Sequence, residues 1–186
     1  LSVGATLFVG IILAYIWPPV QTAIAHFGEM VNASDFGAAF YAAGKRLLIP
    51  VGLHHVYYPS FLYEFGSFTD AAGKIFRGDS TRYFAGDSSA GVFMASEFPI
   101  MIFGLPMAAL AMVLRAKIEK RKAIFGIMLS AALTSIITGI TEPIEFAFIF
   151  VAPLLFVVHV LLAFLSCFLT TLFDIHLGYS FSASLI

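Results

Sequence analysis

The chain has 186 residues, of which 60% are hydrophobic and only 11% are charged, and its formal net charge at pH 7 is -1. Soluble domains carry about 25% charged residues, so this composition excludes an ordinary soluble domain and indicates an integral membrane protein. The near-zero net charge offers no electrostatic footprint for a polyanion, which excludes nucleic acid as a partner.

The apolar runs predict helices rather than the strands of a barrel. They are long, rich in Leu, Ile, Val, Ala and Phe, and show no alternation of period two. The predicted fold class is therefore an all-α integral membrane protein, a polytopic helix bundle. Because the sequence begins within an apolar run and ends without a polar tail, we expect it to be a piece of a longer polypeptide.

The first predicted element is a transmembrane helix over residues 2–16. Trp17 is an interface anchor, and Pro18 and Pro19 do not readily continue a helix, so we expect the helix to end here. Residues 21–35 mix polar and apolar side chains, which favours an interfacial amphipathic segment over a second span.

A second helix is predicted over residues 36–49, with Lys45 and Arg46 interrupting its apolar sequence. Small side chains allow membrane helices to approach one another closely. Those of this helix are Gly37, Ala38, Ala39, Ala42, Ala43 and Gly44.

The next stretch, residues 47–65, contains the adjacent histidines His54 and His55. Three residues argue against one uninterrupted helix: Pro50, Gly52 and Pro59. Adjacent side chains on a helix point about 100° apart, and no zinc motif is present, so no metal site is predicted. On sequence alone, the histidines fit hydrogen-bonded structure as well as they fit substrate binding.

Residues 66–91 form the one long polar stretch and are predicted to be a solvated or interfacial loop. Arg82 and Asp87 are close enough in sequence to pair and fix this loop. Residues 92–114 are apolar but contain prolines and Glu97, so they form either a kinked span or a re-entrant hairpin. The basic residues 115–122 that follow are cytoplasmic by the positive-inside rule.

Residues 139–146 place two carboxylates, Glu142 and Glu145, inside a very apolar region. Charged side chains at membrane depth are costly and usually functional. Pro143 disfavours helical geometry at Glu142 and suits a first helical turn, so we expect a break at Thr141-Glu142 and a helix start at Pro143. Glu142 would then face a ligand, while Glu145 would complement the positive end of the new helix. The alternative is that both only cap a helix at the membrane surface.

The last long apolar run, residues 144–173, is long enough to span, with a bend expected near Pro153. His159 and Cys167 lie within it. Both are interpreted as packed side chains rather than as a ligand or a reactive thiol.

Four motifs together resemble one family. They are Gly-Leu-His-His at 52–55, Gly-Asp-Ser-Thr-Arg-Tyr-Phe-Ala-Gly-Asp at 78–87, Phe-Gly-Leu-Pro-Met-Ala-Ala-Leu-Ala-Met at 103–112 and Gly-Ile-Thr-Glu-Pro-Ile-Glu-Phe at 139–146. The chain resembles enzyme IIC, the membrane component of the bacterial phosphoenolpyruvate-dependent sugar phosphotransferase system, in its glucose, maltose and N-acetylglucosamine branch.

The resemblance implies a homodimeric permease of the bacterial cytoplasmic membrane. Such a protein transports a sugar and also belongs to the phosphotransferase complex that phosphorylates it. Broken or re-entrant helices would form its sugar site. The phosphoryl group would come from a phosphocysteine on a IIB domain, itself charged by IIA, so no cofactor is implied. Residues 1–186 would be part of one IIC domain, with 1–35 as a helix end and interfacial segment and 36–186 mainly as the sugar-binding part; IIA and IIB are absent.

The resemblance also implies site residues. The sugar contacts would be Arg46, His54, His55, Thr141 and Glu142, with His55 the weaker member. Glu142 could also act as general base for the reacting hydroxyl, and Pro143 and Glu145 would support it.

Two other classes of function stay open on sequence alone. One is an ion-coupled secondary transporter that uses Glu142 as a relay, and the other is an inert fragment that serves only in assembly. Within the family, the sequence after His55 favours glucose over N-acetylglucosamine, and the short interval between Asp87 and Thr141 favours glucose over maltose.

Overall fold

The computed structural model describes residues 2–32, 34 and 36–185. Within them the chain is mainly helical. The helices are α1 (Ser2–Asn32), α2 (Gly37–Leu47), α3 (His54–Tyr63), α4 (Asp79–Phe84), α5 (Val92–Ala95), α6 (Leu105–Arg115), α7 (Ile118–Thr138), α8 (Glu142–Ile149) and α9 (Pro153–Leu172). An antiparallel hairpin of β1 (Ser67–Thr69) and β2 (Ile75–Arg77) is the sheet that the described residues contain.

Within the described residues, four helical stretches are long and apolar enough to cross a membrane. They are Ser2–Val31, Val92–Arg115, Ile118–Thr138 and Pro153–Leu172. A bilayer core of about 30 Å requires about 20 helical residues, which each stretch supplies. The predicted fold class, an all-α polytopic membrane protein, is confirmed.

The predicted end of the first helix at Trp17 was wrong. α1 continues through Pro18 and Pro19 to Asn32, so residues 20–32 belong to the same helix as residues 2–16. Each proline removes one backbone hydrogen bond, but its fixed φ near -65° is itself helical, and membrane helices tolerate such interruptions. The predicted boundary at Asp35 lies outside the described residues.

α2 packs against α9 through small side chains. Ala38, Ala39 and Ala42 form a buried cluster with Cys167 of α9. The interpretation of α2 as a close-packing helix is therefore confirmed, and so is that of Cys167 as a packed thiol.

The segment over residues 92–115 is a kinked span rather than a re-entrant hairpin. α5 is followed by a π-helical stretch, Pro99–Gly104, which leads directly into α6. A π turn widens the helix and accommodates the missing proline N–H groups. Buried side chains of α6, α7, α8 and a 3-10 turn at Ile49–Val51 form the main core, including Ile49, Leu105, Val113, Met128, Ile144 and Phe148.

Pro50 and Gly52 interrupt the helix, as predicted. Pro59 was also predicted to interrupt it but does not. α3 begins after a left-handed turn at Gly52 (φ 72°) and runs through Pro59 to Tyr63. In that position the proline removes only the hydrogen bond to the carbonyl of His55. α3 therefore begins at the histidine pair, which it presents toward α8.

The polar stretch 66–91 contains the hairpin and α4 and is held together by Asp87. Arg82 Nε donates to Asp87 Oδ2 at 2.8 Å, and the backbone N–H and hydroxyl of Ser89 both donate to Oδ1. The predicted Arg82–Asp87 pair is confirmed. Burial opposes ionisation of Asp87, but the hydrogen bonds from Ser89 and Arg82 outweigh burial and lower the pKa of the carboxyl.

We expect Asp87→Asn to increase trypsin cleavage after Arg77 and Arg82 by about tenfold, because hydrogen bonds to a charged group contribute roughly 1.5–3 kcal/mol to local order. Cleavage rates are measured by mass spectrometry of the intact membrane protein. Glu64→Gln is the matched control, since Glu64 is an exposed acid at the end of α3. Equal cleavage rates in the two variants would show that Asp87 does not hold the segment.

Candidate functional site

A cavity of about 420 Å³ lies between the end of α2, the start of α3, the α7–α8 break and residues 179–182. A volume of this order is typical of small-molecule sites. Every residue that the sequence analysis assigned to substrate binding lines this cavity: Arg46, His54, His55, Thr141 and Glu142.

The break between α7 and α8 forms one side of the cavity. α7 ends at Thr138, and α8 begins at Glu142 with Pro143 in its first turn. The predicted break is confirmed, with the helix starting one residue before Pro143. Gly139 allows it, because its φ is 71° and a Cβ there would come within 2.7 Å of Ser182.

Glu145 points away from the cavity into a buried network. Arg46 Nη1 donates to Glu145 Oε1 at 2.7 Å, and Thr141 Oγ1 donates to Oε2 at 3.0 Å. His159 Nε2 lies 3.0 Å from Oε1, which agrees with the interpretation of His159 as a packed histidine. The network joins α2, α8 and α9, and Glu145 is fully buried within it. Glu145 therefore forms a buried ion pair and hydrogen bonds between helices, in addition to the predicted interaction with the helix dipole.

Glu142 is turned toward the cavity. Its side chain is 28% exposed, against 0% for Glu145. Glu142 Oε1 lies 3.4 Å from Nε2 of His54, which is longer than a good N–H···O hydrogen bond. Within the described residues, no lysine or arginine forms an ion pair with Glu142, whereas Glu145 has Arg46. The Glu142 carboxylate therefore remains free to accept hydrogen bonds from a ligand.

His54 and His55 lie against each other at the start of α3. Their ring centroids are 3.9 Å apart, and one ligand atom from each lies within 4.8 Å of a Glu142 oxygen. The divergence of about 100° expected of adjacent helical residues does not keep the two rings apart. The angle of about 100° applies to the Cα–Cβ directions, and side-chain torsions bring the two rings together.

A second buried ion pair, which was not predicted from the sequence, lines the cavity. Lys45 Nζ lies 2.5 Å from Glu97 Oε1, and Tyr41 donates to the same oxygen at 2.9 Å. The sequence contained an indication of this pair, because Glu97 is the one charged residue within the apolar stretch 92–114. The rule that acids at membrane depth are functional by default applies to Glu97 as it does to Glu142.

Three of the lining residues have a buried polar atom that finds no hydrogen-bond partner among the described residues. These atoms are Arg46 Nη2, Glu97 Oε2 and His54 Nδ1. A buried donor or acceptor without a partner costs about 1–3 kcal/mol, so such groups are usually matched by a ligand or water. Three residues that line the cavity therefore carry polar atoms that the described residues leave unmatched, and each of these atoms is itself buried.

The aromatic residues near the histidines divide into two groups. Tyr58 lines the cavity, whereas Tyr57 and Phe61 are buried in a cluster with Tyr41 and Val31. Tyr58 is therefore placed to stack on a sugar ring, whereas the buried Tyr57 and Phe61 are not. Residues 179–182, which were given no role on sequence alone, close the cavity through a hydrogen bond from Ser182 Oγ to the Thr138 carbonyl at 2.8 Å.

Comparison with known proteins gives a consistent result. Residues 1–163 match the family described as "Phosphotransferase system, EIIC". The chain is 51% identical over 176 residues to the N-acetylglucosamine-specific EIICBA component of Escherichia coli (strain K12), a match that covers 94% of the chain and 27% of the relative.

Two further relatives have names that specify other sugars. The glucose-specific EIICBA component of Staphylococcus carnosus is 50% identical over 181 residues, covering 94% of the chain and 27% of the relative. The glucosamine-specific EIICBA component of Bacillus subtilis is 47% identical over 179 residues, covering 96% and 28%. The chain thus spans little more than a quarter of the length of these relatives.

Proposed function

The chain belongs to the phosphotransferase system EIIC family, and from that premise we propose that it is the sugar-binding part of a bacterial inner-membrane permease. It takes up a hexose and presents it for phosphorylation. The relatives described above are named for glucose, glucosamine and N-acetylglucosamine. These sugars differ only in the substituent at C2, so the proposed ligand is a pyranose with the glucose arrangement of hydroxyls at its other positions.

The observation that carries the proposal is the convergence of a carboxylate, a guanidinium and two imidazoles on one cavity of about 420 Å³. Sugar hydroxyls both donate and accept, so one pyranose ring can hydrogen-bond to guanidinium, imidazole and carboxylate groups together. Glu142 and Glu97 accept from hydroxyls, Arg46 donates from its guanidinium, and the histidines contact the ring edge. Thr141 is shared between Arg46 and Glu145, which fixes the cavity wall.

The proposed reaction is attack of a sugar hydroxyl on the phosphocysteine of a IIB domain. The new O–P bond forms as the S–P bond breaks, the thiolate stays on IIB, and Glu142 accepts the hydroxyl proton. Phosphoryl transfer depends mainly on positioning and charge, so the role of this chain is to hold the hydroxyl in line with the phosphorus. IIA recharges IIB, and no cofactor takes part. The family resemblance also supports a homodimer.

The choice among sugars is a finer proposal. The stretch Val56-Tyr57-Tyr58-Pro59 lacks the asparagine that N-acetylglucosamine-type sequences tend to have, which favours glucose. The relatives at 51% and 50% identity do not discriminate, since one is named for N-acetylglucosamine and the other for glucose.

We expect vesicles that contain the complete protein, supplied with phosphoenolpyruvate and the soluble carrier proteins, to accumulate labelled sugar phosphate from labelled glucose. Omitting phosphoenolpyruvate is the control and abolishes accumulation. Uptake of free sugar that an ionophore collapses would instead establish ion-coupled transport. Stronger competition by N-acetylglucosamine or maltose than by unlabelled glucose would overturn the choice of glucose and leave the phosphotransfer proposal intact.

A further inference from the structure

We propose that His54, His55 and Glu142 form a binding site for a divalent transition-metal ion, Zn²⁺ in particular, and that this ion competes with the sugar for the cavity. The competition rests on the proposed function. The metal site itself does not, because it follows from the positions of three side chains.

The geometry suits a tetrahedral ion. With metal–ligand distances of about 2.0–2.2 Å, neighbouring ligands of a tetrahedral zinc lie about 3.4 Å apart. Glu142 Oε1 and His54 Nε2 are 3.4 Å apart, and one ligand atom from each of the three residues lies within 4.8 Å of the other two. Small side-chain rotations would bring His55 to the required distance, since it lies at the exposed end of the cluster.

The hydrogen bonding of His54 also supports a role as a metal ligand. Its contact with Glu142 is long for a hydrogen bond, and its Nδ1 is buried without a partner in the described part of the chain. The ring is 5% exposed, so this nitrogen has no access to bulk water. Nε2, the nitrogen that faces Glu142, therefore has only this long contact among the described residues, and coordination to a metal would give it a better partner while leaving Nδ1 as it is.

The surrounding charges permit a cation. Lys45 and Arg46 line the same cavity, but Lys45 pairs with Glu97 and Arg46 with Glu145. Among the described residues no lysine or arginine pairs with Glu142, whose neighbour is the imidazole of His54, so its negative charge is available to the ion. Two imidazoles and one carboxylate are borderline ligands of the kind that zinc accepts, and three protein ligands leave a fourth position for water.

Competition with the sugar follows from Glu142. Coordination to a metal uses the carboxylate lone pairs that would accept hydrogen bonds from sugar hydroxyls. The bound ion would also occupy space in the cavity that the sugar ring needs. A cavity occupied by zinc would therefore bind the sugar poorly.

Titration calorimetry with ZnCl₂ on the complete protein in detergent, without sugar, tests the site directly. We expect one site, with affinity reduced at least about tenfold in His55→Asn and in Glu142→Gln, because even outer-shell partners of metal ligands contribute 10- to 100-fold. His26→Asn is the matched control, since His26 lies on α1 outside the cavity. Co²⁺ added in place of zinc should give the visible absorption of a tetrahedral complex, and His55→Asn should abolish it.

Sugar binding is then measured with and without zinc. At a zinc concentration about nine times its dissociation constant, simple competition raises the apparent sugar dissociation constant about tenfold. Unchanged zinc affinity in both His55→Asn and Glu142→Gln would overturn the metal site. Zinc binding with unchanged or stronger sugar affinity would overturn the competition. A protein that binds zinc as expected but never binds sugar would overturn the proposed function and leave the metal site standing.

Discussion

Glu145→Gln is expected to reduce the stability of the folded protein by about 3–5 kcal/mol, the usual cost of removing one partner from a buried ion pair. The variant leaves the Arg46 guanidinium, 2% exposed, without its anionic partner, and it also weakens the contacts from Thr141 and His159. Stability is measured by denaturant titration in detergent, with loss of helical signal as the readout.

Two controls define this effect. Glu142→Gln carries the same chemical change three residues away, but its carboxylate is partly exposed and has no arginine partner, so its unfolding should match that of the parent. The double variant Arg46→Met/Glu145→Met removes both charges and should recover much of the lost stability, because apolar side chains can replace a buried pair. Equal stability of Glu145→Gln and Glu142→Gln would contradict the structural role assigned to Glu145.

The break that creates the site could be predicted from local sequence because its causes are local. Pro143 restricts the residue before it, and Gly139 supplies the left-handed turn that ends α7. Both effects act over two or three residues, so a single sequence is sufficient to identify them. The different orientations of Glu142 and Glu145 do not follow from the helix start, because residues three apart lie on the same side of a helix. They depend on the buried partners of Glu145.

The partners of the buried charges could not be predicted in the same way. Arg46 and Glu145 are 99 positions apart, and Lys45 and Glu97 are 52 apart. Both cations are neighbours on α2, so sequence gives no reason to assign either one to a particular carboxylate. The pairing depends on how α2 packs against α8 and against the stretch that follows α5, which is a property of the tertiary structure.

The failures at Pro18, Pro19 and Pro59 have a common physical origin. Proline removes a hydrogen bond but does not leave the helical region of φ, so whether a helix ends there depends on the neighbouring residues. At Gly52 and Gly139 a positive φ turns the chain, whereas no such residue accompanies Pro18, Pro19 or Pro59. Helix breaks in this chain follow the left-handed glycines more closely than the prolines.

Glu142→Gln is expected to weaken sugar binding by roughly 10- to 150-fold, since a hydrogen bond to a charged group contributes about 1.5–3 kcal/mol. If Glu142 is also the general base, the rate of sugar phosphorylation at saturating sugar falls further, because the amide does not accept the hydroxyl proton. Binding is measured on purified protein and phosphorylation in vesicles, with unfolding followed in parallel. Glu145→Gln, assayed where it remains folded, is the comparison and should lose less affinity, because its carboxylate faces the buried network. Equal or reversed losses of affinity in the two folded variants would mean that Glu142 is not the carboxylate that contacts the sugar.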